Sequence, residues 1–197
     1  MSTWDTAPTL SGRHVTLEPL TLAHVPGLQQ AAADGELWNL WYTSVPAFDG
    51  ARAYIETALA EQAAGTALPF VVRDATGDVV GSTRYARMER EHRRVEIGWT
   101  WYAQRVQRTA LNTEAKLLLL THAFEVMDCL CVQFLTNWFN FASRAAIARL
   151  GARQDGVLRN HMLNADGSSR DTVVFSIIRT EWPAVRRHLQ IRLEEHR

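Results

Sequence analysis

A carboxylate, a basic loop and a helix start follow one another between Glu96 and Lys116. The segment reads Glu96-Ile97-Gly98-Trp99-Thr100-Trp101-Tyr102, then Gln107-Arg108-Thr109-Ala110-Leu111-Asn112, then Thr113-Glu114-Ala115-Lys116 and a leucine run. A helix start presents unpaired N–H groups and a partial positive charge, which suit a phosphate. Asn112 is a capping residue type, Glu114 suits a first turn, and Arg105 and Arg108 add positive charge. An ordinary strand–helix connector shares these features, so the loop alone leaves both readings open. It lacks the glycine-rich run and lysine of a P-loop and is not a dinucleotide fingerprint. Glu96, on a strand of aromatic and apolar residues, could serve as a proton acceptor if burial raises its pKa. The alternative for Glu96 is a structural ion pair with Arg94 or another arginine.

The elements that must hold these groups follow from periodicity. Arg13–Pro19 alternates apolar and polar residues and predicts a strand. Thr21 caps a helix bearing Leu22, Val25, Leu28 and Ala32, with Pro26 in its first turn. A second helix opens at Asp49 or Gly50, turns Tyr54, Ile55, Ala58 and Leu59 inward, and stops at Gly65. Leu68–Arg73 and Val79–Ala86 predict a hairpin about the turn Ala75–Asp78. Arg94–Tyr102 predicts the next strand, and plain alternation puts Glu96 with Gly98 and Thr100, opposite Val95, Ile97 and Trp99. A helix over Asn112–Asp128, a strand over Leu130–Thr136 and a helix over Ala142–Leu150 closed by Gly151 come next. Arg153–Leu163 predicts a strand broken near Gly156, Asn164–Ser169 a turn, Asp171–Arg179 a strand and Glu181–His196 a final helix. Strands and helices mixed without strict alternation give an α+β, mixed α/β class with seven strands.

Bulk properties narrow the function. The 197 residues favour one domain, with 47% hydrophobic residues for its core. Lys and Arg number 21 against 21 Asp and Glu, which argues against nucleic acid as the main partner. Cys129 and Cys131 have no metal-ligand spacing and read as buried thiols. His92, His122 and His161 form no triad or metal spacing, so no metal is expected. Residues from Met1 onward lack a signal-peptide pattern, and the longest apolar run, Leu117–Leu120, is far too short for a membrane span. The expectation is a cytoplasmic protein without a membrane partner.

Further motifs are spread along the chain: Leu17-Glu18-Pro19-Leu20, Val80-Gly81-Ser82-Thr83, Glu96-Ile97-Gly98-Trp99, Asn112-Thr113-Glu114-Ala115, and Asn140, Ser143, Ile147 and Leu150-Gly151-Ala152. With these, residues 10 to 185 resemble the GNAT N-acetyltransferase superfamily and its RimJ/RimL-like branch. The resemblance implies a single GNAT domain over residues 1–197, a central, mostly antiparallel sheet flanked by helices, and acetyl transfer from acetyl-CoA to an amine. It implies Glu96 as general base and Ser143 near the leaving sulfur. Gln107, Arg108, Thr109, Ala110, Leu111 and Asn112 overlie the cofactor loop, with Ala110 where glycine is usual and Asn112 where Gly or Ala is usual. The main chain of Trp99, Thr100, Trp101 and Tyr102, with Asn140, would hold the pantetheine arm. Asn140 also reads as a helix cap, Ser143 as a first-turn serine, and Arg144 and Lys116 as either phosphate ligands or solvated helix residues. Trp38, Trp41 and Tyr42 are candidate acceptor walls, and Arg84, Arg159 and Arg170 candidate anchors for an acceptor carboxylate. The branch suggests a protein N-terminal amine as acceptor; a small-molecule amine, or a non-catalytic acyl-CoA-binding module, are the alternatives. The resemblance is also compatible with a homodimer.

Overall fold

The computed structural model describes residues 2–43, 45–164 and 166–195. Eight strands form one sheet: β1 (Leu10–Ser11), β2 (Val15–Pro19), β3 (Leu68–Asp74), β4 (Val79–Glu89), β5 (Arg94–Tyr102), β6 (Cys131–Asn137), β7 (Arg153–Leu163) and β8 (Ser169–Ile178). Their order is β1-β2-β3-β4-β5-β6-β8-β7, antiparallel throughout except where β5 meets β6. Among the described residues five α-helices accompany them: α1 (Val25–Ala33), α2 (Ala51–Ala63), α3 (Ala110–Thr121), α4 (Phe141–Arg149) and α5 (Trp182–Glu194). The expected mixed α/β class and flanked antiparallel sheet are observed. The additional strand is β1, whose two residues pair with Leu17 and Thr16 and carry too little pattern to read from sequence.

Local sequence explains most boundaries. Pro26 stands in the first turn of α1, where its missing N–H costs nothing. Gly65 at φ 72° and Gly151 at φ 96° end α2 and α4 in the left-handed conformation that glycine accepts without strain. The break anticipated near Gly156 is a register shift between Gln154 and Gly156 against β8. The last helix ends at Glu194, and His196, like Ala165 of the expected turn and Met1, lies outside the described residues.

The third helix starts two residues earlier than its sequence suggests. Ala110 is its first residue and Thr109 its cap, the Thr109 hydroxyl accepting from Leu111 N at 3.3 Å. Asn112 is therefore inside the first turn and not a cap. The helix passes into a π-helical turn at His122–Val126. Tyr85 of β4 donates its hydroxyl to the Leu119 carbonyl at 2.6 Å, which fixes α3 on the sheet face of Tyr85. The opposite face of β3 and β4 carries α1 and α2.

Glu114 does more than favour a first turn. It is buried, and its two carboxylate oxygens accept from Arg13 N at 2.9 Å and His14 N at 2.5 Å, tying the β1–β2 connection to α3. Removing the carboxylate leaves two backbone donors unpaired in a partly buried turn. Glu114→Ala is expected to cost about 3 kcal/mol, read as a lower urea midpoint at unchanged slope; an unchanged midpoint would show that this clamp does not stabilise the fold.

Candidate active site

β5 is the strand on which the candidate site is built. It pairs in parallel with β6 through Arg94↔Cys131, Val95↔Val132 and Glu96↔Gln133, and the pairing ends there. On its other edge β5 stays paired with β4 as far as Gly81↔Tyr102. Beyond Glu96 the two parallel strands part, and β5 from Gly98 to Trp101 has no strand partner on that edge among the described residues. Backbone groups on such an edge need partners.

A bulge reorders the faces of β5. Ser82 opposes Trp101 while Arg84 opposes Gly98, so β5 has one extra residue there, and Trp99 sits at φ 49°. Plain alternation would group Thr100 with Glu96 and put Trp99 opposite. Instead the Trp99 ring lies 4.9 Å from the guanidinium of Arg84, which opposes Gly98 and shares the face of Glu96. Thr100 turns to the α3 face, where its hydroxyl lies 2.8 Å from Thr83 Oγ1 and accepts from Lys116 Nζ at 2.8 Å.

Glu96 is 4% exposed. Its carboxylate folds over Gly98: a Cβ at that residue would stand 2.5 Å from Glu96 Oε1, so a larger residue would displace the carboxylate. Arg87 Nε approaches Glu96 Oε2 at 3.4 Å, but Oε2 makes no hydrogen bond among the described residues. Burial raises the Glu96 pKa to about 7, outweighing the opposing attraction of Arg87 and Arg170. Lys116, on the other face, is also buried, and desolvation lowers its pKa to about 7. Bound to Thr100, it supports the bulge from behind and is turned away from the helix start.

The loop after β5 is held by its own polar groups. Gln107 Nε2 donates to the Tyr102 carbonyl at 2.9 Å and Thr109 Oγ1 to the Val106 carbonyl at 2.7 Å. Arg105 is bound to the hairpin turn through Asp74 at 2.7 Å and Asp78 at 3.4 Å, while Arg108, exposed and left-handed at φ 61°, makes no ion pair among the described residues. Ala110 is not among the residues with positive φ. It is the first residue of a regular helix, so alanine costs no strain where the resemblance leads one to expect glycine. Leu111 is buried, and the partly buried Asn112 has an Oδ1 that lacks a protein partner among the described residues.

At the far end of β6, Asn140 caps α4, its Oδ1 accepting from Ser143 N at 2.9 Å. Ser143 is half-buried in the first turn. Arg144 donates to the Trp138 carbonyl at 3.1 Å and lies over the rings of Trp138 and Phe141. Trp41 packs its exposed ring 5.7 Å from Tyr42 and 5.5 Å from Phe139, linking the α1–α2 connection to the β6–α4 loop, while Trp38 packs on the core. Trp101 donates Nε1 to Tyr54 at 3.3 Å. Arg84 is buried and paired with Glu61 at 2.7 Å between the Tyr54 and Trp99 rings, and Arg159 is paired with Asp171 at 2.5 Å. His161 lies 3.1 Å from Thr172 Oγ1 and His122 stacks on Tyr85. No group of three or more metal-ligating side chains occurs among the described residues. Cys129 and Cys131 are free thiols. Among the described residues no helix is long and apolar enough to cross a membrane.

Comparison with known proteins agrees with this geometry. Residues 14–153 match the acetyltransferase (GNAT) domain family, to which the chain belongs. A “putative acetyltransferase” of T. thermophilus is 35% identical, with TM-score 0.84 over 96% of this chain and 99% of that one. A Bacillus subtilis protein named “Putative ribosomal N-acetyltransferase YdaF” is 29% identical over 106 residues, 54% of this chain and 57% of that protein. The chain thus spans well under two thirds of that curated relative. The RimJ of Mycobacterium smegmatis, solved with CoA-disulfide, shares the fold at TM-score 0.80 and 23% identity over 97% of each chain.

The environment of Glu96 has a consequence for stability. Its pKa is higher folded than unfolded, so its contribution is present at low pH and is lost as pH rises from 4.5 through about 7. The loss over that window is on the order of 3 kcal/mol. Glu96→Gln should therefore be more stable than the parent at pH 8, the gap shrinking towards pH 4.5. Urea denaturation at both values tests it; a gap that does not change with pH would contradict a buried, desolvated carboxylate.

Proposed function

We propose that this protein transfers an acetyl group from acetyl-CoA to a primary amine, with Glu96 as the general base. The observation that carries this reading is one nearly inaccessible carboxylate, held near neutrality, where β5 and β6 part. The free edge of β5 from Trp99 to Trp101 suits the amides of a pantetheine arm, and the N-terminus of α3 with Arg108 and Thr109 suits the pyrophosphate. The unstrained Ala110 fits a ligand at this helix start. Acetyl-CoA supplies an activated thioester carbonyl. The chain has to orient the amine, take its proton and assist the departing sulfur.

Each atom has a destination. The acceptor nitrogen bonds to the acetyl carbon, the carbon–sulfur bond breaks, and the nitrogen's proton passes to Glu96, directly or through one water. Ser143, in the first turn of α4 with its N–H held by Asn140, is the proposed proton donor to the sulfur. Donors on the free β5 edge would stabilise charge on the carbonyl oxygen. Among acceptors we favour a protein N-terminal amine; the Bacillus subtilis relative is named a “putative ribosomal N-acetyltransferase”. With no positive φ at Ala110, alanine at that position is no obstacle to a cofactor at the helix start.

Two measurements test this. Thiol release from acetyl-CoA with a panel of amines and peptides should fall about 100- to 1,000-fold in Glu96→Gln, with CoA affinity retained. Since the base works ionised, kcat/KM should rise with pH to a plateau above about 7 in the parent. Retained turnover in Glu96→Gln, or a pH-independent rate from about 5 to 8, would refute Glu96 as the base. Separately, Arg108→Ala should weaken CoA binding about 3- to 10-fold with stronger loss at low salt; equal affinity would remove Arg108 from the phosphate site.

A further inference from the structure

The arginines around Glu96 are out of balance with the carboxylates. Register places them: Glu96 pairs with Gln133, Gln133 with Ser176, and from Ser176 the alternation along β8 runs through Val174 and Thr172 to Arg170, all on one face of the sheet. Arg170 is half-buried, its Nε has no hydrogen-bond partner among the described residues, and both Glu96 and Arg87 act on its charge. Its neighbour Asp171 is already engaged by Arg159 at 2.5 Å and by Asn160 N at 2.8 Å. Arg87 reaches Glu96 from β4 with its backbone at φ 45°, a conformation disfavoured for arginine, in the irregular stretch between Ala86 and Glu89. The other arginines of these strands are committed: Arg84 to Glu61 and Arg94 to Glu89.

Two guanidinium groups thus face one carboxylate that makes no hydrogen bond to either. Arg87 is exposed, but the half-buried guanidinium of Arg170, its Nε unpartnered among the described residues, would gain from an anion. The donor's phosphates are not that anion. Arg108 and Thr109 lie past the end of β5, at the start of α3, and belong to the donor's phosphates. The missing anion belongs on the acceptor side.

We propose that Arg87 and Arg170 form an anion-reading pair beside Glu96, and that the preferred acceptor carries a carboxylate within a few bonds of its amine. This rests on the acetyl-transfer reading above. Two sources share that chemistry: a peptide whose first residue is Asp or Glu, and a free amino acid presenting its own carboxylate. A bidentate guanidinium–carboxylate contact gives orientation as well as charge, which would aim the amine at Glu96.

The test is a ratio. With acetyl-CoA, kcat/KM is compared for peptide amides starting with Glu and Gln, and for glutamate, glutamine and glutamic α-amide. The parent should favour the carboxylate member of the matching pair at least tenfold, and the peptide and free-acid arms identify the source. Arg170→Gln should bring the ratio close to one, and Arg170→Lys should leave it intermediate, whatever happens to the absolute rates. A parent ratio near one overturns the pair. So does an unchanged ratio in Arg170→Gln with both rates lowered equally and the pH profile displaced, which would make Arg170 only a partner of Glu96. Should Arg170→Gln not fold, Arg87→Gln carries the same expectation. Absence of transfer to every amine would instead sink the acetyl-transfer reading.

Discussion

The separation of β5 from β6 beyond Glu96 is the constraint on which the rest of the site depends. A continuous parallel pair would satisfy the backbone of both strands and leave nothing for a ligand. Here β5 remains in the sheet through β4 while β6 stays with β8 along its whole length, Cys131↔Ile178 to Asn137↔Thr172. Each strand is anchored by the ladder on its outer side, and the opening begins where the carboxylate is placed.

The bulge at Trp99 gives that gap its chemistry. By inserting one residue it separates two buried titratable systems onto opposite faces of one strand: Glu96 with its arginines on one, Lys116 with Thr100 and Thr83 on the other. Both are driven toward neutrality by desolvation, in opposite directions of charge. On its face the carboxylate is raised by burial and opposed by Arg87 and Arg170, while the lysine braces the bulge through a hydroxyl.

Much of the architecture was legible in the chain. Alternation located β5 at Arg94–Tyr102, and Gly65 and Gly151 marked helix ends, because these signals act within a few residues. The resemblance carried the sheet and the family. What it left open was resolved by geometry: Asn140 does cap α4, Arg84 and Arg159 are paired with carboxylates, and Lys116 points into the sheet. Thr109, not Asn112, caps α3, because Ala110 and Leu111 read as loop residues when laid over a cofactor pattern although both have good helical propensity.

The sequence by itself determined the order and type of the elements, the placement of a lone acidic residue in an apolar strand, and a basic loop before a strong helix. Those follow from periodicity, capping and composition, all short-range. Only the tertiary structure decided that Thr100 and Trp99 exchange faces, that Arg87 reaches Glu96, and that Arg170, 74 positions further along the chain, shares its environment. A positive φ at Trp99 or Arg87 has no signature in residue type, since neither is glycine. Desolvation likewise depends on what packs above the group and not on its neighbours in sequence, which is why a glutamate between valine and isoleucine comes to titrate near neutral pH only once the sheet is assembled.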